Sequence, residues 1–291
     1  MVDLITSAFK TASGLARIAP GPMAGAAARS LGRVAARTDA DRRQLVARNL
    51  QRADPSLQGP ALQRAVRQTF ESYARYWVES FRLPTTSPEA LEAGFTYEGY
   101  EHIDAARAAG KGAVMALPHL GGWEWAAFWL TRVRGVPVTA VVERLEPDAL
   151  FEWFVELRES LGMTIVPLGP EAGTATARAL RDNNLLALLC DRDIAGNGIE
   201  VEFFGERTTL PGGPAVLALR SGAPILPTAI YFEGSTRHAV VRAPLDTSRQ
   251  GSLREDIQRV TQDVAHALEE LIRVAPEQWH LLQPNWPSDR P

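Results

Sequence analysis

The sequence places a histidine and a carboxylate where they could carry out proton transfer. His119 follows the apolar run 113–117, and Glu124 comes five residues later. An imidazole can accept and return a proton near neutral pH, and a carboxylate can hold the ring in one tautomer and stabilise the imidazolium. These two residues are therefore candidates for acid–base chemistry, although a histidine taken alone is more often a structural residue.

Two further acidic residues follow apolar runs in the same way. Glu143 comes directly after 136–142, and Asp191 after 185–190. Short apolar runs of this kind are typical of buried strands, and the carboxyl ends of parallel strands meet at one edge of a sheet. We therefore expect His119, Glu143 and Asp191 to lie close together at that edge.

Basic and glycine-rich positions near these acids could hold an anionic substrate. Arg144, Arg158 and Arg192 are candidates because a guanidinium binds phosphate oxygens through paired hydrogen bonds. Each could equally form an ion pair with a neighbouring Glu or Asp. The turn around Gly213 offers free backbone N–H groups at a predicted helix start, although turn chemistry alone also explains it. The single cysteine, Cys190, argues against a disulfide framework or a multi-cysteine metal site, and we predict no metal site.

Strands and helices alternate along the chain from residue 111 onward. The predicted strands are 113–117, 136–142, 164–167, 185–190, 224–232 and 239–243, with 201–204 as an edge strand or hairpin arm. The predicted helices between them are 123–133, 147–161, 173–182, a helix from the 210–214 turn to 221, and 253–275. This alternation predicts an α/β fold with a central, mostly parallel twisted sheet flanked by helices on both faces.

The N-terminal part of the chain differs in charge from the rest. Residues 1–82 carry a net charge of +7, and residues 83–291 carry −10. Two helices are predicted at 40–50 and 59–82, and apolar residues recur at helical spacing within 4–16. We expect 1–82 to be a basic helical region on the α/β core of 83–291, together one structural unit. The first helix could lie on an anionic membrane surface or simply pack on the core.

Several classes of function lack support in the sequence. No stretch has the 18 or more apolar residues of a membrane-spanning helix, which predicts a soluble or surface-attached protein. No nucleic-acid-binding motif is present and the larger part of the chain is acidic, so no nucleic acid partner is expected. The spacing of a phosphate-binding loop is missing, and there is no Gly-x-Ser-x-Gly motif of a serine hydrolase.

A set of motifs resembles the lipid A biosynthesis acyltransferase superfamily, and most closely its actinobacterial phosphatidylinositol mannoside acyltransferases. The likeness extends from residue 73 to the C-terminus. The motifs are Leu117-Pro118-His119-x-Gly-x-Trp123-Glu124, Val142-Glu143-Arg144-Leu145, 154–162, Arg192-Asp193, Phe203-Phe204-Gly205-Glu206, Pro211-x-Gly213-Pro214 and Trp279-His280-x-Leu282-Gln283-Pro284-x-Trp286.

The resemblance implies transfer of an acyl chain, palmitoyl, from acyl-CoA as co-substrate to a mannose hydroxyl of a phosphatidylinositol mannoside, without a cofactor. It further implies a peripheral protein, expected to be monomeric, at the cytoplasmic face of the plasma membrane. Other acceptors, such as another glycolipid or a lysophospholipid, and a non-catalytic lipid-binding role remain alternatives.

The same resemblance assigns roles to individual residues. It makes His119 the base, Glu124 its orienting partner, and Glu143 and Asp191 polar active-site residues. Arg158 and Arg192 would contact the acceptor's phosphate or neighbouring acids. The chain departs from the family pattern in two places, with Glu124 where Asp is usual and Asp191 where the mannoside enzymes have Glu.

An aromatic stripe runs along the predicted helix 59–82 at spacings of three and four. Its members are Phe70, Tyr73, Tyr76, Trp77 and Phe81. Such a stripe usually packs a helix against the core, and here part of it could also line a groove for an acyl chain.

Overall fold

The computed structural model describes residues 2–289, and side chains from residue 6 onward, so the predicted apolar contacts of Leu4 and Ile5 lie outside the described residues. The helices are α1 (Val2–Ile18), α2 (Gly21–Thr38), α3 (Ala40–Ala53), α4 (Gly59–Arg82), α5 (Pro88–Ala93), α6 (Tyr100–Ala108), α7 (Trp123–Arg132), α8 (Asp148–Ser160), α9 (Ala172–Arg181), α10 (Gly213–Ser221) and α11 (Leu253–Val274). The strands are β1 (Phe95–Glu98), β2 (Ala113–Leu117), β3 (Val138–Val142), β4 (Thr164–Pro167), β5 (Leu185–Leu189), β6 (Ile199–Phe203), β7 (Glu206–Leu210), β8 (Ile225–Glu233) and β9 (Thr236–Val241).

The central sheet has the strand order β1-β9-β8-β2-β5-β3-β4. All neighbouring strands run parallel except β8 and β9, which form an antiparallel pair. Every residue of β2 is buried, as expected for a parallel strand that is covered on both faces. The predicted α/β fold with a mostly parallel central sheet is therefore confirmed.

Helices cover the sheet on both faces, and the alternation of side chains along β2 shows how. Ala113, Met115 and Leu117 pack in the same cluster as residues of α5, α6 and α7. Val114 and Ala116 pack on the other face with residues of α9, α10 and α11. The site described below lies at the carboxyl edge of this two-sided core.

Two elements were not resolved by the sequence patterns. β1 is a four-residue strand in which only Phe95 is buried, so it has no apolar run to reveal it. The segment predicted as an edge strand or hairpin arm is β6, which pairs with β7 as a separate antiparallel hairpin. In both cases pairing with a distant or following segment supplies the stability that local propensity does not.

The N-terminal residues form four helices, which confirms the predicted helical region. The inward face of α2 consists of small residues, and its Gly32 lies so close to α4 that a Cβ there would stand 2.6 Å from the Cα of Glu71. This close approach leaves the larger side chains Met23, Leu31 and Val34 of α2 exposed. Among the described residues, no helix combines the length and apolarity needed to cross a bilayer.

Candidate active site

The turn between β2 and α7 fixes the position of His119. Gly121 has a φ of +58°, and a Cβ on it would collide with the carbonyl oxygen of Ile230 in β8. A glycine is required there because other residues rarely adopt this φ and the β8 backbone leaves no room for a side chain. The turn is thus pressed against the sheet, and His119 stands at its start with 28% of its side chain exposed.

The partner of the His119 ring is Asp191. Its Oδ1 lies 2.6 Å from His119 Nδ1, and its Oδ2 accepts a hydrogen bond from the His119 backbone N–H at 3.0 Å. Strand register explains the pairing, since Leu117 of β2 is aligned with Leu189 of β5. His119 and Asp191 both stand two residues beyond these paired positions and therefore meet at the sheet edge.

The chain's C-terminal segment closes over this pair. The indole N–H of Trp279 donates to Asp191 Oδ2 at 2.8 Å, and the side-chain amide of Asn285 donates to the Asp191 carbonyl at 3.1 Å. The backbone N–H of His280 donates to the His119 carbonyl at 2.7 Å. Sequence reasoning did not assign these residues to the site, although Trp279 and His280 stand within one of the family motifs.

The electrostatics of Asp191 favour its ionised form. Burial by itself would raise the pKa of this fully buried carboxyl group, but the His119 ring and the Trp279 N–H lower that pKa below its usual value. An ionised carboxylate only accepts hydrogen bonds, so Nδ1 of His119 must carry the ring proton. In the neutral form of the ring, Nε2 then has a free lone pair that can accept a proton from another group.

The predicted contact between Glu124 and His119 is wrong. Glu124 lies in the first turn of α7, where its Oε2 accepts from Ser80 Oγ at 2.6 Å and its Oε1 accepts from Arg158 at 2.7 and 3.0 Å. The carboxylate is 5% exposed and the guanidinium 11% exposed. Because a buried guanidinium needs a counter-charge, Glu124 is committed to Arg158, and Asp191 takes the place beside the imidazole.

The other predicted site residues divide between the cavity and its surroundings. Glu143 forms an ion pair with Arg192, and both line the same cavity as His119. Gly213 begins α10 and is an exposed residue of the cavity lining. Arg144 is exposed, stands over the ring of Phe151 at 5.3 Å and is not part of the lining.

A cavity of about 1460 Å³ opens beside His119. Its lining extends from the carboxyl edge of the sheet, with Glu143 and Arg192, along β5 and under α9 and α10. The middle of the lining is apolar, with Ala177, Leu180, Ala187, Val216 and Leu217. Its far end lies at the amino edge of the sheet, where the lining includes Lys111, Arg181 and Arg220. The cavity thus forms an apolar channel between two polar ends.

The aromatic stripe of α4 is divided between the cavity lining and the packing of the helix. Tyr73, Tyr76 and Trp77 line the cavity. Phe70 and Phe81 are buried, each 4% exposed, and pack the helix against its neighbours.

His280 also lines the cavity. It is 7% exposed, with its Nε2 2.8 Å from Ser72 Oγ and its ring 5.4 Å from that of Tyr73. Burial, reinforced by the neighbouring His119, lowers the pKa of His280 to about 3, so the ring is neutral at ordinary pH. It therefore adds a polar but uncharged group to the wall of the site.

Comparison with known proteins identifies the family. A model described as bacterial lipid A biosynthesis acyltransferase matches residues 4–288. The chain belongs to this acyltransferase family. The family assignment confirms the resemblance seen in the motifs and covers the His119 turn, the buried Asp191 and the C-terminal segment together.

Individual relatives in the family are similar over most of their length. A protein named phosphatidylinositol mannoside acyltransferase from Mycobacterium tuberculosis (strain ATCC 25618 / H37Rv) is 42% identical over 227 residues, which is 76% of this chain and 70% of the relative. One of the same name from Mycolicibacterium smegmatis (strain ATCC 700084 / mc(2)155) is 41% identical over 227 residues, covering 77% and 73% of the two chains.

Proposed function

We propose that this protein transfers a palmitoyl chain from acyl-CoA to a mannose hydroxyl of a phosphatidylinositol mannoside. The observation that carries the proposal is the hydrogen-bonded pair of His119 and Asp191 at the end of an apolar channel. An imidazole with a free Nε2 at such a position suits a reaction between a hydroxyl group and a long-chain thioester. The names of the similar relatives support the choice of acceptor.

In the proposed mechanism His119 acts first as a base and then as an acid. Its Nε2 takes the proton of the acceptor hydroxyl as the oxygen attacks the thioester carbonyl carbon. The carbon–sulfur bond then breaks, and the same proton passes to the leaving thiolate, which departs as free CoA. Asp191 keeps Nδ1 protonated and stabilises the transient imidazolium, and such proton transfer contributes roughly 10²–10⁴-fold to rate.

The channel is the proposed site of the acyl chain. Between Lys111 and His119 the chain advances eight residues, of which Ala113–Leu117 are strand, so the span is at most about 26 Å. The apolar lining along this span would cover an extended long acyl group, and burying each methylene contributes about 0.8 kcal/mol. The cations Lys111, Arg181 and Arg220 end the apolar lining, and we expect them to disfavour chains that reach beyond it.

Polar groups at the other end would receive the acceptor. Arg192 lines the cavity there, and its Nε is buried without a hydrogen-bond partner while its Nη2 is paired with Glu143. Glu143 and His280 stand in the same lining and can exchange hydrogen bonds with sugar hydroxyls. Arg158 faces the cavity but has its charge balanced by Glu124, so we assign it a smaller role in anion binding.

The test is an acylation assay with purified protein. Palmitoyl-CoA and acyl-CoAs of shorter and longer chain would be combined with phosphatidylinositol mannosides, other glycolipids and lysophospholipids, and products identified by mass spectrometry. We expect acylated mannoside, with palmitoyl preferred, and a loss of at least ~10²-fold in kcat for His119→Ala. Acylation of a different acceptor in place of the mannoside would reject the mannoside as the substrate. Near-normal turnover by a folded His119→Ala variant would reject the assignment of His119 as the base.

The first two helices are the proposed membrane contact. Leu15 and Ile18 of α1 and Met23, Leu31 and Val34 of α2 are more than half exposed, in a part of the chain with a net charge of +7. Exposed apolar groups beside basic ones favour an anionic lipid surface. We expect the protein to sediment with phosphatidylglycerol vesicles, and Ile18→Asp with Leu31→Asp to weaken this about tenfold or more. Equal sedimentation of the double variant would place the membrane contact elsewhere.

A further inference from the structure

The carboxylate of Asp191 is held by three donors, and they come from two distant parts of the chain. Two belong to His119, its ring Nδ1–H and its backbone N–H. The third is the indole N–H of Trp279, which lies 88 residues beyond Asp191 in the chain and 2.8 Å from its Oδ2. Asp191 is 0% exposed, so water does not compete for these positions.

We propose that Trp279 is a positioning residue for the acyl transfer of the preceding section, and the inference rests on that proposed function. Its N–H and the His119 backbone N–H together occupy Oδ2, which leaves Oδ1 facing the imidazole. An aspartate side chain on its own can rotate about its Cβ–Cγ bond. The indole restricts this rotation, so Nδ1 stays protonated throughout the reaction and Nε2 is the nitrogen that takes up and returns the proton.

Trp279 is itself held in place by the turn that carries His119. It forms an isolated β-bridge with Leu120, next to the base. On one side of it, Gly121 N–H donates to the carbonyl of Gln278 at 3.1 Å, and on the other His280 N–H donates to the carbonyl of His119 at 2.7 Å. The segment 278–280 therefore ties the histidine turn and the aspartate into one unit.

Packing alone would be the simpler account of Trp279, and the structure contains a matched control for it. Trp279 and Trp286 lie in one aromatic cluster with Phe203 and Phe204, and they are 3% and 1% exposed. Each donates one hydrogen bond through its indole N–H. The bond of Trp286 goes to the Phe203 carbonyl at 3.1 Å rather than to the catalytic pair.

The experiment compares Trp279→Phe with Trp286→Phe, since both replacements remove one N–H and similar volume. We expect Trp279→Phe to lower kcat by roughly tenfold to a hundredfold, the worth of one hydrogen bond to a charged group. The KM values for both substrates should stay within about twofold, because Trp279 is not among the residues that line the cavity. Trp286→Phe should keep kcat within about threefold even if it lowers the melting temperature.

Proton NMR gives a readout that does not depend on activity. The Nδ1–H of His119 should give a downfield signal in the wild-type protein that is absent in Asp191→Asn. We expect this signal to broaden or vanish in Trp279→Phe and to persist in Trp286→Phe. If Trp279→Phe does not fold, Asp191→Asn should shift the indole N–H resonance of Trp279 and leave that of Trp286 unchanged.

Two results would overturn the positioning role. One is a folded Trp279→Phe variant whose kcat and Nδ1–H signal both match those of Trp286→Phe. The other, if Trp279→Phe is unfolded, is an indole resonance of Trp279 that does not respond to Asp191→Asn. Absence of acyl transfer in the wild-type protein would reject the proposed function instead, and the NMR comparison would still decide whether the indole holds the carboxylate.

Discussion

Two buried carboxylates near the carboxyl edge of β2 have similar burial and different surroundings. Asp191 is bonded to an imidazole and to neutral N–H groups, whereas Glu124 is bonded to a guanidinium and a hydroxyl. The contacts of Asp191 are set by the register of β2 and β5 and by the C-terminal segment. Glu124 joins α7 to α4 and α8. The surroundings of Asp191 leave the imidazole of His119 able to exchange protons. The surroundings of Glu124 hold it in a permanent ion pair with Arg158.

The difference shows why a carboxylate near a histidine in sequence need not be its partner. A residue five positions beyond His119 is already in the first turn of a helix, where its side chain points toward neighbouring helices. A residue that ends the adjacent parallel strand stands beside the histidine whatever its distance along the chain. In the proposed mechanism Asp191 takes part in the proton chemistry, whereas Glu124 forms a structural ion pair.

The largest expected difference between the two acids is in turnover. We predict that Asp191→Asn lowers kcat by about 10²–10⁴-fold, because an amide that turns its N–H toward Nδ1 stabilises the tautomer without a free Nε2 lone pair. Glu124→Gln should lower kcat less than about tenfold under conditions where the variant is folded. Steady-state acylation kinetics measure both, and a larger loss in Glu124→Gln than in Asp191→Asn would reverse the assignment of the two acids.

The next effect is on stability and concerns the ion pair. We predict that Glu124→Gln lowers the free energy of unfolding by about 3–5 kcal/mol, because it leaves the charge of Arg158 buried without a counter-charge. The double variant Glu124→Gln with Arg158→Met should recover most of this loss.

Urea denaturation measures the ion-pair effect, with Asp182→Asn as the control. Asp182 forms an exposed ion pair with Arg178, in which 59% of the Asp182 side chain and 78% of the Arg178 side chain are accessible to solvent. Loss of this pair should cost less than about 1 kcal/mol. Equal losses in Glu124→Gln and Asp182→Asn would show that burial of the Glu124 pair adds nothing.

The smallest effect is a pH dependence of stability that arises from His280, on the Asp191 side of the site. The pKa of His280 is about 3 in the folded protein and 6.5 in an ordinary environment. On acidification the unfolded chain therefore takes up this proton first. The stability due to the neutral ring is complete above pH 6.5 and is lost as the pH falls toward 3, by up to about 1.4 kcal/mol per pH unit.

Replacing His280 by Gln isolates this contribution. The difference in unfolding free energy between wild type and His280→Gln should change by about 2 kcal/mol between roughly pH 7 and pH 5, because only the wild type carries the titrating ring. Urea titrations at a series of pH values measure it. A difference that stays constant with pH would mean that the folded and unfolded states bind this proton equally, so that folding does not lower the pKa of His280.

The sequence by itself determined the class of fold, because the apolar runs and the helical patterns between them follow from burial on both faces of a parallel sheet. It also determined that His119, Glu143 and Asp191 end strands at one edge, and the motifs identified the family. β1 and β7 were missed, since short strands with few buried residues carry little local signal. The sequence left open whether 201–204 is an edge strand or the hairpin arm that it forms with β7.

Only the tertiary structure decided which acid serves the histidine. Glu124 and Asp191 have the same charge and each follows a strand or its turn, so the sequence offers no way to choose between them. The choice is made by the alignment of Leu117 with Leu189, by the demand of Arg158 for a counter-charge, and by the return of Trp279 to the sheet edge. These are contacts between residues far apart in the chain, and their energies depend on burial that only the folded protein creates.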